Sequence, residues 1–530
     1  MAKRLPAEPL FAAKLARRRF LTVTGAAAAL ALGARLPAAT ASTERPRGYP
    51  FTLGVASGDP LPDGVVLWTR LAPEPLDPFG GMPYDRIVPV LWEVAEDERF
   101  RRVVRRGTAL ADPEYAHSVH VDVRGLRPSA EYFYRFMAGA EISPVGRTKT
   151  APAAGASVSA LNFAFASCQH RVVGYYTAYQ HMCQEDLDVV LHLGDYIYEG
   201  PDQGTLGRGH APARFLETLD DYRIRLAQYK TDPDLQAAHA AFPWIVTLDD
   251  HEVLSNWAGE HSFYYPQESI EQFLVRRANA FRAYWEHMPL RLAQLPQGPD
   301  MPLYRRFTYG DMAQFSVLDT RQYRSDQANN DRNSPPNDQT RDPNRTMLGG
   351  AQEQWLFDGL STSPTTWNVL AQQVFFSQLD LDPDDARELY VMDQWDGYEA
   401  SRNRIVDFLQ ERQVRNPVVL TGDIHANNAC DVKANFDDPD SATVAVELVG
   451  TSISSSGDGS DTDPARDALA DQLPHIKYYN VQRGYVRCTL TPDLWRTDFK
   501  VVPYVSRPGA PIRTDATLVV ENGRPGLQFD

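Results

Sequence analysis

The chain has 530 residues, 43% of them apolar, with 53 Lys and Arg against 69 Asp and Glu for a net charge of −16. That length suits a large core and at least two domains, and no repeat, heptad or low-complexity pattern interrupts it. A surface this acidic repels phosphate backbones and anionic lipid, which excludes a nonspecific nucleic-acid binder or scaffold.

The first element is a targeting segment. Arg17-Arg18-Arg19-Phe20-Leu21 fits the twin-arginine form R-R-x-F-L, an Ala/Leu-rich stretch follows, and Ala39-Thr40-Ala41 forms an A-x-A cleavage signal before Ser42. Residues 1–41 are therefore expected to be removed after passage through the twin-arginine export machinery, which delivers the protein to the periplasm or the exterior. The competing reading is a short anchor. Gly33 and Arg35 interrupt the apolar stretch, and it falls short of the ~20 residues of a spanning helix, so no stable membrane insertion is expected. Cleavage lowers Lys plus Arg to 46 and Asp plus Glu to 68, leaving −22. Cys168, Cys183, Cys430 and Cys488 are too scattered for a disulfide framework, although an oxidising compartment leaves one bridged pair open.

Residues 51–147 alternate apolar and polar positions with frequent turns, which predicts a small antiparallel β-sandwich spanning 42–150. Within it GLRPSAEYFYRF is similar to a fibronectin-like strand-turn-strand in which a Tyr closes a corner. TAPAAGASVSA, at 150–160, is expected to be the linker, assigned to 151–160. From Leu161 to Asp530 apolar strands alternate with helical stretches such as EQFLVRRANAFRAYWEHM, the pattern of an α/β catalytic domain. The Pro/Asn/Asp-rich run 324–345 reads as a long surface loop.

Four apolar runs in this second part end in residues that can bind metals: FAFASC at Cys168, VVLHLGDYIY at Asp195 and Tyr198, WIVTLDDHE at Asp250, and VVLTGDIH at Asp423 and His425. Buried strands need unbroken apolar runs and ligands need open backbone, so these residues are expected to converge on one face of a sheet as a multimetal phosphoesterase site. Tyr198 either packs under its loop or binds as a phenolate, and phenolate binding calls for a strong Lewis acid such as Fe(III). Cys168 is either a buried hydrophobe or a thiolate ligand. Asp250 would hold a second metal, Asn256 would add a neutral oxygen, and His251 would protonate the leaving alkoxide. His425 is open as ligand, as hydrogen-bond donor to phosphate, or as the alternative to His251 in protonating the leaving oxygen. Arg321, after FSVLD, serves equally as a phosphate clamp or as one half of a structural Asp–Arg pair. There is no G-x-S-x-G elbow and no Walker A sequence.

The ordered set GVASGDPLPDGVVLWTRL, FASCQ, HLGDYIYE, DDHEV, EHMPLR, LDTRQYR, WDGY, TGDIH, ELVGTSIS and RGYV closely resembles the PhoD-type alkaline phosphatases and phosphodiesterases over nearly the whole chain. That family is similar to the purple acid phosphatases. The resemblance implies a four-layer metallophosphoesterase core, sheets sandwiched by helices, behind the N-terminal sandwich. It also implies Fe(III) and Ca(II) as cofactors and alkaline hydrolysis of phosphate mono- and diesters by in-line attack of a metal-activated hydroxide or oxide. Cys168, Asp195 and Tyr198 match the iron-side positions, with Asp195 bridging toward calcium. Asp250, Asn256, Asp423 and His425 complete the cluster, their partition between the metals left open. After DDHEV this chain has Leu254-Ser255-Asn256 where the family often has a doubled Asn; if the earlier position is the ligand, Ser255 occupies it. Two alternatives stand beside the phosphatase reading: a secreted phosphodiesterase or phospholipase D specialised for wall polymers or lipids, and a cell-surface binding protein whose metals are purely structural.

Overall fold

The structure, a computed structural model, describes residues 48–382, 388–464, 469 and 472–530. The expected signal at 1–41 lies outside the described residues. No helix among them is long and apolar enough to cross a membrane.

Two sheets form the centre. The strands Leu161–Ala166, Val189–His192 and Pro243–Val246 run parallel in the middle of a ten-stranded sheet. Ala313–Val317, Trp367–Ala371, Pro417–Thr421 and Thr443–Val449 run parallel in a seven-stranded sheet. Side chains alternate along each strand, so one strand serves two cores. Phe163, Phe165, Val189, Leu191 and Ile245 face Phe315, Val317, Val369, Val418 and Leu420 between the sheets. Ala164, Ala166, Val190, Trp244 and Val246 face outward onto the helices Leu219–Lys230, Pro233–Ala241 and Ile270–His287. On the far side Leu370 and Val419 pack against Gly349–Thr362 and Glu399–Glu411. The order is helix, sheet, sheet, helix, the four layers expected. Both central sheets are covered on both faces, which is why their strands read as unbroken apolar runs. Two of the first-layer helices start at capping boxes, Thr218 with Asp221 and Ser269 with Gln272.

The N-terminal region differs from a free-standing sandwich. Val55–Leu61, Gly64–Arg70 and Ser118–Arg124 extend the ten-stranded sheet itself, because the Val55 strand pairs in parallel with Pro243–Val246. Only the second layer, with Val88–Ala95, Val103–Ala111 and Glu131–Ala138, is a separate sheet. The two layers enclose Val65, Leu67, Val90, Tyr134 and Phe136. The boundary expected near residue 150 therefore marks the end of a sandwich that shares one sheet with the core. Its corner is closed by Tyr132, whose hydroxyl accepts the Arg127 backbone N–H at 3.0 Å. No disulfide joins any of the four cysteines.

Candidate metal centre

All four ligand-bearing loops leave their strands at the same edge of the two sheets. Cys168 N–H donates to the Gly194 carbonyl at 3.1 Å and Gln169 N–H to the Asp195 carbonyl at 3.0 Å, which ties the first two loops together. Glu252 clamps the second to the third, accepting Tyr196 N–H at 2.6 Å and Asp249 N–H at 2.8 Å. Gly194, at φ 114°, lies so close to Asp249 that an added Cβ would fall 2.4 Å from the Asp249 Cβ. Five of the seven expected ligands sit in the left-handed backbone region: Cys168 (φ 57°), Asp195 (58°), Asn256 (49°), Asp423 (64°) and His425 (55°). Residues other than glycine rarely adopt it, and such strain collects where side chains must be aimed.

Besides a separate set of His170, Asp202 and His210, three sets of donor atoms among the described residues lie mutually within 4.8 Å: Cys168, Asp195 and His425; Asp195, Asp250 and His251; Asp249, Asp250 and Asp423. Asp195 belongs to the first two and Asp250 to the last two, so the sets form one continuous track. Tyr198 closes the first. Its hydroxyl donates to Asp195 Oδ2 at 2.8 Å and lies 3.2 Å from His425 Nε2 and 2.7 Å from Ser455 Oγ. The first set is soft, with thiol, imidazole and phenol around one carboxylate, and the last is entirely carboxylate. Asp195 and Asp250 are buried. Burial pushes the Cys168 thiol, the Tyr198 phenol and the Asp195 carboxyl well above their usual ranges, and neighbouring carboxylates push them further. Asp423 is raised to about 6, by burial and by Asp250. A buried track of anionic donors with one oxygen, Asp195 Oδ1, left without a partner fits bound cations, which offset this charge.

The histidines separate. His425 is lowered to about 3, first by burial and then by Arg483, so its ring is neutral and one ring nitrogen carries a lone pair that a metal can take. Burial alone would lower His251, yet Asp250, Glu199 and Asp195 outweigh it and hold the ring protonated well above its usual range. Its Nδ1 lies 2.6 Å from Glu199 Oε2 and the side chain remains 23% exposed.

Arg321 meets this track only at Asp249. Its guanidinium is wholly buried, with Nε on Asp249 Oδ1 at 2.6 Å and Nη1 and Nη2 on Asp393 at 2.7 and 2.8 Å. Three of its five N–H groups are engaged by carboxylates and none of the side chain is exposed, which favours the structural pair over the phosphate clamp. Asn256 lies beside Asp250, whose Oδ2 accepts its backbone N–H at 2.7 Å; Ser255 N–H instead donates to Glu199 Oε1 at 2.8 Å. Glu199, Asp393, Gln394, which donates to Asp423 Oδ2 at 2.5 Å, and Ser455 escaped the sequence reading. The last two sit beside the WDGY and ELVGTSIS motifs and Glu199 closes HLGDYIYE, so motif position was the available signal; Asp393 lies outside every quoted motif.

Residues 163–499 match the family PhoD-like phosphatase and residues 37–152 match its N-terminal domain. The chain is 53% identical over 524 residues to alkaline phosphatase D of Bacillus subtilis (strain 168), covering 97% of this chain and 88% of that one. A solved structure of PhoD superposes with TM-score 0.89 at 54% identity, covering 92% of this chain and 93% of the other. A purple acid phosphatase from yellow lupin (Lupinus luteus) seeds shares the fold at TM-score 0.51 and 13% identity, over 88% of this chain and 73% of its own. The chain, with its donor track at the common edge of two sheets, belongs to the PhoD-like phosphatase family of phosphoric ester hydrolases.

Proposed function

We propose that the protein is an exported alkaline phosphatase that hydrolyses phosphate mono- and diesters at a centre of Fe(III) and Ca(II). The observation that carries this reading is the continuous donor track, soft at Cys168, Tyr198 and His425 and hard at Asp249, Asp250 and Asp423, with Asp195 and Asp250 shared between neighbouring sets. Cys168, Asp195, Tyr198 and His425 suit the iron, and Asp195, Asp250, Asn256 and Asp423 the calcium. Such cations, when bound, supply Lewis acidity that acidifies water and offsets charge on the phosphoryl oxygens.

The protein's own groups do the rest. Asp195 and Asp250 set the spacing of the cations by belonging to two donor sets each. His251, held protonated and oriented by Glu199, is the proton donor for the leaving oxygen, and its partial exposure keeps it within reach of substrate. His425 is a ligand, its ring nitrogen lying in one donor set with Cys168 and Asp195. Arg321 fixes Asp249 and Asp393 in position from beneath. Similarity to alkaline phosphatase D of Bacillus subtilis and the twin-arginine motif at Arg17-Arg18 support delivery outside the cytoplasm. The test is Asp195→Asn: the variant is expected to fold and to lose turnover of a chromogenic monoester and diester together. Full turnover in a folded Asp195→Asn protein would overturn the assignment.

A further inference from the structure

The long 324–345 loop does not lie loose on the surface. Ser334 and Tyr390 exchange backbone hydrogen bonds at 3.1 and 3.0 Å, and Thr340 is fully buried. Its first part reaches the metal track and grips one residue, Asn256, from two directions. Gln327 Nε2 donates to the Asn256 carbonyl at 2.7 Å and also to Asp393 Oδ1 at 2.8 Å. Asn256 Nδ2 donates to Asp331 Oδ2 at 2.6 Å. The third grip comes from Asp250, which accepts the Asn256 backbone N–H at 2.7 Å.

These contacts settle which way the amide points. Burial and Asp393 raise Asp331 to about 7, so at alkaline pH its carboxylate is ionised and only accepts; there the Asn256 nitrogen faces Asp331 and the oxygen is the atom the amide offers elsewhere. The loop adopts an unusual shape to do this, since Asn329, Asn330 and Asp331 all have left-handed backbones at φ 54°, 52° and 59°. Three such residues in succession cost conformational energy that surrounding contacts must offset. Asn256 itself is left-handed, so its backbone also depends on being held.

We propose that Asp331 is a positioning residue for the hard-cation side of the centre, fixing the Asn256 carboxamide so that Oδ1 is presented to a divalent cation beside Asp250, and that the 324–345 loop thereby sets the affinity for that cation. The inference rests on the reading of Asn256 as a ligand given under Proposed function. Partners that orient a metal ligand are worth about 10- to 100-fold in affinity.

The experiment is calorimetric titration of Ca(II) into chelator-treated, iron-retaining protein carrying Asn256→Ala, Asp331→Gly, Asp331→Asn, or Asn256→Ala with Asp331→Gly. Glycine and asparagine both tolerate the left-handed backbone at 331, so folding is preserved, and the unfolding midpoint of each calcium-free variant checks this. Asn256→Ala and Asp331→Gly are each expected to weaken Ca(II) binding about 10- to 100-fold. The double variant should bind no more weakly than Asn256→Ala alone, because Asp331 acts through Asn256. Asp331→Asn should stay within a few fold of the parent, since its side-chain oxygen still accepts from Nδ2. The visible absorption of the iron side should not move in any of them. Parent-like affinity in Asp331→Gly beside a weakened Asn256→Ala overturns the proposal. So does an Asp331→Asn as weak as Asp331→Gly, which would assign the effect to charge, and so does an additive double variant. An unaffected Asn256→Ala instead overturns the ligand reading on which the proposal rests.

Discussion

Lys230 ends the helix Leu219–Lys230 and is 2% exposed, its ammonium 4.3 Å from the Trp68 ring centroid and 5.5 Å from that of Tyr196. Burial lowers its pKa from 10.5 to about 7. Below pH 7 the ammonium is charged in both the folded and the unfolded chain, and the folded state bears the whole desolvation cost. Between about 7 and 10.5 the unfolded chain binds more protons, so stability climbs with pH, and above 10.5 the cost is gone. At ~1.4 kcal/mol per pKa unit the full cost is about 5 kcal/mol. A desolvated cation–π contact returns about 2 kcal/mol of that while the group is charged. Lys230→Met keeps the volume and removes the charge, so it should stabilise the protein by roughly 3 kcal/mol at pH 6, about 3 °C in melting temperature for a chain of this size. At pH 10.5 the gain should vanish. The assay is the difference in melting temperature between variant and parent at the two pH values, in which other titrating groups cancel. A variant equally less stable at both pH values, or a difference that does not change with pH, would refute the reasoning.

The centre yields further expectations. Gly194→Ala places a Cβ 2.4 Å from the Asp249 Cβ, so the second and third loops must separate; elemental analysis should show less bound metal while far-UV circular dichroism is unchanged. Glu199→Gln removes one of the carboxylates that raise His251, so the alkaline limb of the kcat–pH profile should move down, and His251→Ala should lower kcat by about 10²- to 10⁴-fold. A limb that stays in place in Glu199→Gln would remove His251 from the role of acid. Arg321→Met leaves Asp249 buried without its cation and Asp393 with Arg324 alone, which should destabilise the fold by about 3–5 kcal/mol in denaturant titrations. A phosphate clamp would instead raise KM and spare stability.

The ligand loops were legible because a parallel strand buried on both faces carries few polar residues and no carboxylate of its own in the four runs that precede these ligands. Cys168, Asp195, Asp250 and Asp423 thus stood out at the ends of apolar runs, and the left-handed backbones at three of them show what those ends are shaped for. The sharing of a sheet by the N-terminal sandwich was not legible, since alternation in Val55–Leu61 identifies a strand but not a parallel partner almost 190 residues later, at Pro243. Arg321 was ambiguous for a related reason: the carboxylates that saturate it, Asp249 and Asp393, are each 72 residues away, in opposite directions. The composition of 324–345 gave a loop correctly but not its contacts, because Asn, Asp and Pro mark turns whether the turn faces water or a metal track. Glu199 closes the HLGDYIYE motif, but its role as partner of a histidine 52 residues on emerges only from its 2.6 Å approach to His251.

The most direct measurement is turnover of a chromogenic phosphomonoester and phosphodiester across alkaline pH by protein of known iron and calcium content, before chelation, after it, and after Ca(II) is returned. The account predicts that chelation abolishes hydrolysis of both esters and that Ca(II) restores it. Undiminished turnover by protein shown to hold neither iron nor calcium would contradict it.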